Sequence, residues 1–524
     1  MDQTGAVIPG AQIKISNPVS HYQNSAEAGP QGQFTFQNVP FNKYHLTVTA
    51  KGFSPLDQDI DVRTVVPMNL KLELPLAASS TEVQVEDKAE DVVENDATAH
   101  MVLDSDLMAK LPVANANILS AVIATSTPGV SSDSNGMFHP QGEHADTSYV
   151  IDNQPISDQK SRTFSTQISS NVVQSMELVT GVPPAEFGDK ASLVVRTTTK
   201  SGLGVDKTHG SINLGYGSFG TVTGDASVSI GGKNWGNFLA IDGMNGGRFL
   251  DSPEFQPLHD HGNAESFFDR ADWLFKNNDT LHLDLSLSRS WFQIPNQYDQ
   301  ESVGQDQRQQ IRSFNFSPGY THLFNNTTLL SANAWVRQDR VGYYPSADVF
   351  QDQPATLAQQ RRLTNTGFKV DINYSHGVHN VKGGFSFNYT PLSEFFQTGI
   401  TDPLANALCV DANGVPVAAE GVSDPAACAG AGYTPNPGFS SGLYPYDLTR
   451  GGQLFTFKGK TNIKQEGLYV QDSMNIKNLN IQLGLRADNY DGLSSRTGIQ
   501  PRTGLSYQIK KTGTVLRASY DASS

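Results

Sequence analysis

From residue 209 onward, apolar and polar positions alternate with a period of two. Leu281, Leu283, Leu285 and Leu287 share one face of a segment whose other face carries His282, Asp284, Ser286 and Ser288. Leu479, Ile481, Leu483 and Leu485 alternate with Asn480, Gln482, Gly484 and Arg486. Phe368, Val370, Ile372 and Tyr374 repeat the scheme, as do Val381, Phe385, Phe387 and Tyr389. Side chains of a strand point alternately to its two faces, so each run predicts a β-strand with one apolar and one polar face. Thirteen such segments are predicted: 209–218, 220–231, 234–244, 264–276, 279–290, 310–323, 327–338, 363–375, 379–390, 462–475, 479–490, 500–508 and 513–521. About ten residues is the length of strand that crosses a tilted bilayer path.

The connections between these segments alternate in length. Lys233-Asn234, Asn277-Asn278, Asn325-Asn326, Gly377-Val378, Lys477-Asn478 and Lys510-Lys511-Thr512 mark short turns. Longer links fall at 245–263, 291–309, 339–362 and 391–461. A soluble sandwich has no reason to keep its long loops at one end, whereas an outer-membrane barrel has short periplasmic turns and long external loops. The four Trp are expected near strand ends, Trp235 and Trp273 on the short-turn side, Trp291 and Trp335 on the long-loop side. Tyr216, Tyr389, Tyr490 and Tyr520 join the second group, and Phe324, Tyr374 and Tyr507 the first. Two girdles suit two water–lipid interfaces; edge aromatics of a soluble β protein are the competing reading.

The first two hundred residues are organised differently. Residues 1–75 read as short strands of a small β-sandwich, with Ile13 and Ile15, Phe34 and Phe36, Tyr44, Leu46 and Val48, and Leu70, Leu72 and Leu74 on apolar faces. Residues 76–99 read as an acidic linker, in which Glu82-Val83-Gln84-Val85 has strand propensity and by composition alone reads as a frayed strand. Residues 100–202 read as a compact mixed α/β segment. Asp104-Ser105-Asp106-Leu107 offers a helix cap, a second helix runs from Ile118 through Ile123 to a stop at Pro128-Gly129, and strands fall at 149–152, 176–179 and 193–199.

Composition narrows the function. Against 37 Lys and Arg stand 52 Asp and Glu, a net charge of −15, which is poorly suited to neutralising phosphates along a nucleic acid. No stretch reaches the roughly 18 apolar residues of a transmembrane helix. The opening residues Met1 to Gly5 show neither a charged nor an apolar signal region, so the sequence is expected to be a fragment.

Catalytic patterns are sparse. No His-Glu-x-x-His, Walker loop or Gly-x-Ser-x-Gly occurs. His139-Pro140-Gln141-Gly142-Glu143-His144 is the one His/carboxylate cluster, and its spacing suits a structural loop better than a zinc site. No enzyme, metal or cofactor is expected. Cys409 and Cys428, the two cysteines of the chain, fall in the same predicted loop and suggest a local disulfide in an oxidising space, free thiols being the alternative.

Several stretches resemble the TonB-dependent outer-membrane receptors, in particular the Oar-like type with an N-terminal carboxypeptidase-regulatory-like domain. Gly5 to Ala11, Gly32 to Pro40 and Tyr44 to Val48 are similar to the regulatory-like (carbohydrate-binding-like) sandwich. Tyr149 to Ile156, Glu177 to Gly181, Glu186 to Gly188 and Thr199 to Gly202 are similar to the plug. Leu468 to Asp472, Leu483 to Arg486 and Pro501 to Gly504 are similar to barrel strands. Leu193-Val194 departs from the Gly-Gly that many relatives carry in the last plug strand.

The resemblance implies a mainly β chain in four parts: sandwich 1–75, linker 76–99, plug 100–202 and a partial antiparallel transmembrane barrel 203–524. A plugged lumen needs about 22 strands, so the full protein is expected to continue beyond the chain. The resemblance places the energy-coupling segment at Glu82, Val83, Gln84 and Val85, since an exposed extended segment can add a strand to a partner's sheet. It implies active uptake of an unidentified external substrate, with the inner-membrane TonB complex and outer-membrane lipid as partners and the sandwich in the periplasm. Candidate substrate contacts are the long-loop aromatics Phe395, Phe396, Tyr433, Phe439, Tyr444 and Tyr446. The alternative is a passive adhesin or glycan-binding surface protein on the same barrel.

Overall fold

The structure, a computed structural model, describes all residues except 19, 21, 78–95, 114–118, 133–137, 141–146, 157–167, 189–191, 276–277 and 523–524. The N-terminal sheet has the order β2-β1-β3-β4, from β1 (Gln12–Ser16), β2 (Gln23–Glu27), β3 (Asn42–Thr49) and β4 (Leu56–Val62). Ile13, Ile15, Tyr44, Leu46 and Val48 alternate into one core, and the Tyr44 hydroxyl meets its burial cost by donating to the Pro40 carbonyl at 2.7 Å. Phe34, Phe36, Leu70, Leu72 and Leu74 close that core from the other side. The strands predicted there are extended segments without a ladder, joined to the rest by isolated bridges such as Asp2 to Leu74. Burial alone sets their alternation.

The middle segment comprises β5 (His100–Asp104), α1 (Ser105–Lys110), α2 (Leu119–Ser126), β6 (Val130–Ser132), β7 (Phe138–Pro140), β8 (Thr147–Ile151), β9 (Gln154–Ile156), β10 (Val173–Val179) and β11 (Leu193–Thr199). The sheet order is β5-β10-β11-β8-β9, with β11 and β8 parallel. Asp104 caps α1 by accepting from the Leu107 amide at 2.8 Å. Leu193, Val194 and Val195 are fully buried in the central strand β11, which explains large side chains where glycines would leave voids.

The remainder is one thirteen-stranded antiparallel sheet. Its first nine strands are β12 (His209–Tyr216), β13 (Val222–Gly231), β14 (Trp235–Gly246), β15 (Gly262–Phe275), β16 (Asp279–Gln293), β17 (Arg308–Asn325), β18 (Thr328–Tyr344), β19 (Ala355–His376) and β20 (His379–Ile400). A loop with the small strands β21 (Cys409–Val410), β22 (Pro416–Val417) and β23 (Thr434–Pro435) intervenes. The sheet then continues through β24 (Phe455–Ile476), β25 (Leu479–Asp491), β26 (Ser495–Ile509) and β27 (Thr514–Asp521). Each strand coincides with a predicted segment, but several are longer at the long-loop end. β19, β20 and β24 have 22 residues each, so the loop links shrink to 247–261, 294–307, 345–354 and 401–454. Beyond the band of exposed apolar residues either face can be polar, so hydrophobic alternation no longer marks where the ladder stops.

Leu287, Phe314, Phe316, Phe368, Ile372, Leu468, Val470, Leu483 and Leu485 are exposed on the outer face. The opposite parity is buried and polar, including Asp272, Asp284, Asn315, Ser317, Asn333, Asp371 and Asn373. Trp235, Tyr216, Tyr520, Phe324, Tyr374 and Tyr507 are exposed in keeping with the predicted girdles. Trp335 is not part of a girdle. It is fully buried in the lumen, with Nε1 donating to Asn365 Oδ1 at 2.8 Å, because its neighbour Val336 holds the outward parity.

Candidate functional site: the plug seat, the inner cavity and the long loops

The β5–β11 domain is held inside the curved wall by three groups of contacts. The first is the turn after β8, where Asp152 and Asn153 both have positive φ. Asn153 donates to Asn333 Oδ1 at 3.0 Å and Asp371 Oδ2 at 2.8 Å and accepts from Lys369 Nζ at 2.9 Å. Gln154 donates to Asn315 Oδ1 at 2.8 Å. Asp152 forms an ion pair of 3.0 Å with Arg270, which also pairs with Asp272 at 2.9 Å.

The second group grips residues 183–187. Arg486 Nη1 donates to the carbonyls of Ala185 and Glu186 at 3.2 and 3.3 Å. Arg502 Nη1 donates to those of Pro184 and Phe187 at 3.0 and 2.5 Å. The Glu186 amide donates to Gln471 Oε1 at 2.9 Å, and its buried carboxylate pairs with Lys382 and, at 3.7 Å, with Lys369. Burial alone would raise the Glu186 carboxyl, but Lys382 and Lys369 outweigh it and hold the group below the usual carboxylate range.

The third group fastens the entry to the domain. Arg517 Nε donates to the Asp96 carbonyl at 2.8 Å, the Ala97 amide to Asn480 Oδ1 at 3.1 Å, and Thr98 Oγ1 to Gln482 Oε1 at 2.8 Å. Beside it lies a cavity of about 110 Å³, lined by Phe41 and Arg63 of the N-terminal domain, Glu177 and Arg196 of the middle domain, and Lys382 and Gln471 of the wall. Arg196 stacks over the Phe41 ring at 4.8 Å and pairs with Glu177 at 3.4 Å. The Asn380 side chain donates to the Arg63 carbonyl at 2.9 Å, so the N-terminal domain sits against the short-turn rim.

At the other end, Cys409 and Cys428 are joined in a disulfide at the centre of the 401–454 loop. Tyr433, Phe439 and Tyr444 pack around that disulfide with Leu408, as the core of a small loop module. Phe395 and Phe396 belong to β20 rather than to a loop, because the ladder continues to Ile400. Phe396 lies 6.4 Å from the ring of Phe455, which in turn lies 5.3 Å from Tyr446. Of the six predicted contacts, Phe396 and Tyr446 thus converge on one aromatic group, and Phe455 joins them.

Glu82, Val83, Gln84 and Val85 lie outside the described residues. So do Glu143 and His144, and His139 stands in β7; among the described residues no group of three or more His, Cys, Asp or Glu is arranged to hold a metal ion. The sequence reading missed Lys369, Lys382, Arg486 and Arg502. Their signal was there: ionisable residues with lumen parity inside bilayer-length strands are costly unless they hold something.

A strand wall with an apolar exterior and a polar interior, occupied by a separately folded domain, is the arrangement of a plugged membrane barrel, here present as a partial barrel of thirteen strands with β12 and β27 at its ends. Residues 206–523 match the family profile described as TonB dependent receptor-like, beta-barrel, and residues 1–75 match the carboxypeptidase regulatory-like domain. The chain belongs to the TonB-dependent receptors. No curated protein matches it by sequence. Among solved structures it is similar to the ferric citrate transporter FecA in the unliganded form (TM-score 0.57, 15% identity, 82% of this chain and 63% of that one). It is also similar to the alcaligin outer-membrane receptor FauA of Bordetella pertussis (0.53, 14%, 81% and 62%) and to P. aeruginosa FpvA bound to heterologous pyoverdines (0.56, 13%, 80% and 56%). The chain therefore spans less than two thirds of the length of these receptors.

Proposed function

We propose that the chain serves active uptake across the outer membrane. An external ligand binds on the long-loop side, where Phe396, Tyr446 and Phe455 offer stacking faces, and the plug blocks its path inward. The N-terminal domain lies in the periplasm, and the inner-membrane TonB complex pairs with the segment at Glu82, Val83, Gln84 and Val85. The outer membrane holds neither ATP nor an ion gradient, so the work must arrive mechanically. The observation that carries this reading is the clamp on Asp96, Ala97 and Thr98, a dozen residues downstream of that segment. A pull from upstream loads these hydrogen bonds first and then the plug behind them.

Deletion of residues 81–87 tests the coupling. The purified chain should be captured by the periplasmic domain of TonB, and the deleted form should not, while both keep the same far-UV circular dichroism. Undiminished capture of the deleted form refutes the assignment. A passive adhesin, the other use of such a barrel, predicts no capture of either form.

A further inference from the structure

The outward face of the wall carries cations that neither the plug nor the uptake path uses. Arg289 of β16 pairs in register with Arg312 of β17, Arg312 with Arg340 of β18, and Arg340 with Arg362 of β19. Residues directly opposite on neighbouring strands share a face, so the four guanidinium groups form one row. They have the same parity as the exposed Leu287, Phe314, Val336 and Phe368 and therefore point away from the lumen. The row continues through Ser393 to Lys460, which Lys458 and Lys464 flank on the same outward face of β24.

Strands lie about 4.8 Å apart, so four like charges stand within about 15 Å. Like charges directly opposite one another destabilise a sheet. The row's relief from within the chain is slight: Glu265 pairs with Arg289 at 3.1 Å, and Arg340 donates to Gln338 at 2.7 Å. Among the described residues no carboxylate pairs with Arg312, Arg340 or Arg362. In a chain of net charge −15, such a concentration of unneutralised arginine is not a by-product of composition.

Its height on the wall indicates what neutralises it. Leu287 and Phe314 lie two residues inward of Arg289 and Arg312, Val336 lies four inward of Arg340, and Phe368 six inward of Arg362. The row thus borders the apolar band on the side of the long loops, at headgroup level. We propose that it is a docking surface for the phosphate groups of outer-leaflet lipid. A guanidinium fork donates to two phosphate oxygens at once and keeps its charge at any working pH. Neighbouring forks one strand apart can share a phosphate, turning a repulsive row into a bound anionic belt that anchors β16–β19.

The full chain in non-ionic detergent, titrated with bis-phosphorylated lipid A, tests the surface, with bound lipid counted by native mass spectrometry. Fully dephosphorylated lipid A and inorganic phosphate form the other arms. Wild-type protein should hold the bis-phosphorylated form about tenfold more tightly than the dephosphorylated one. The R312Q/R340Q/R362Q variant should lose that preference, and K477Q/K511Q, altered at short turns, should keep it. Equal retention of the two lipids, full retention by the triple variant, or displacement by equimolar inorganic phosphate overturns the proposal. Should the triple variant not refold, wild-type protein decides: lipid release between about 50 mM and about 500 mM NaCl supports a charge-borne site, and salt-independent retention overturns it.

Discussion

Gly188 leaves no space for a side chain beside Arg486: a Cβ built there would fall closer than 3.0 Å to the guanidinium. Arg486 is not free to step aside, since it holds the Ala185 and Glu186 carbonyls and pairs with Asp488 at 2.7 Å. Gly188→Ala should therefore loosen the seat of residues 183–187 by about 1–3 kcal/mol. Hydrogen exchange of the amides of Val182 and of residues 185–188 in detergent reads this directly. Protection equal to wild type would show that the guanidinium relocates without cost.

Glu186 is a buried carboxylate facing two ammonium groups, that of buried Lys369 and that of partly buried Lys382. Glu186→Gln leaves the Lys382 ammonium without its carboxylate partner, while Lys369 keeps Asp371 at 3.7 Å, an effect on the order of 3 kcal/mol. Lys382→Gln should cost less, because Lys369 still faces the carboxylate. Urea titration followed by exchange of the plug amides ranks the two variants, and the reverse order would assign the main role to Lys382.

The same group makes the seat acid-sensitive in a definite direction. Because the folded carboxyl titrates below its unfolded value, its contribution is complete above roughly pH 4.3 and is lost as pH falls further. The urea midpoint of plug release should fall between about pH 4 and about pH 2 in wild type. In Glu186→Gln that fall should be smaller, and parallel pH profiles would contradict it.

The loop disulfide closes a separation of 19 residues, which in the chain-entropy account is worth about 3 kcal/mol. Cys409→Ser with Cys428→Ser should expose Tyr433, Phe439 and Tyr444 to chymotrypsin while the strands resist. Cleavage confined to the 401–454 loop, detected by mass spectrometry, is the expected outcome. An uncut loop would show that its packing suffices without the bond.

Parity assigns Trp235 to the outer face of the wall and Trp335 to its inner face. In single-tryptophan variants reconstituted with brominated lipid, Trp235 fluorescence should be strongly quenched and Trp335 hardly at all. Strong quenching at Trp335 would mean that β18 is shifted by one residue relative to its neighbours.

The sequence by itself determined the wall. A period-two pattern is read locally, since a strand with one face in lipid must alternate wherever its neighbours lie; hence all thirteen strands and the short turns were legible. The capped helix at Asp104 and three of the five strands of the plug sheet (β8, β10 and β11) were legible from local signals as well, while β5 and β9 were not. Strand ends above the bilayer were not, since Phe395 and Phe396 remain laddered where hydrophobicity no longer distinguishes the faces. Nor were the lumen contacts. That Arg486 and Arg502 hold main-chain oxygens some 300 residues away, and that Arg289, Arg312, Arg340 and Arg362 align into one row, follows from register across strands. Only the tertiary structure decided these, because a residue's own neighbourhood encodes which face it takes but not which partner stands opposite.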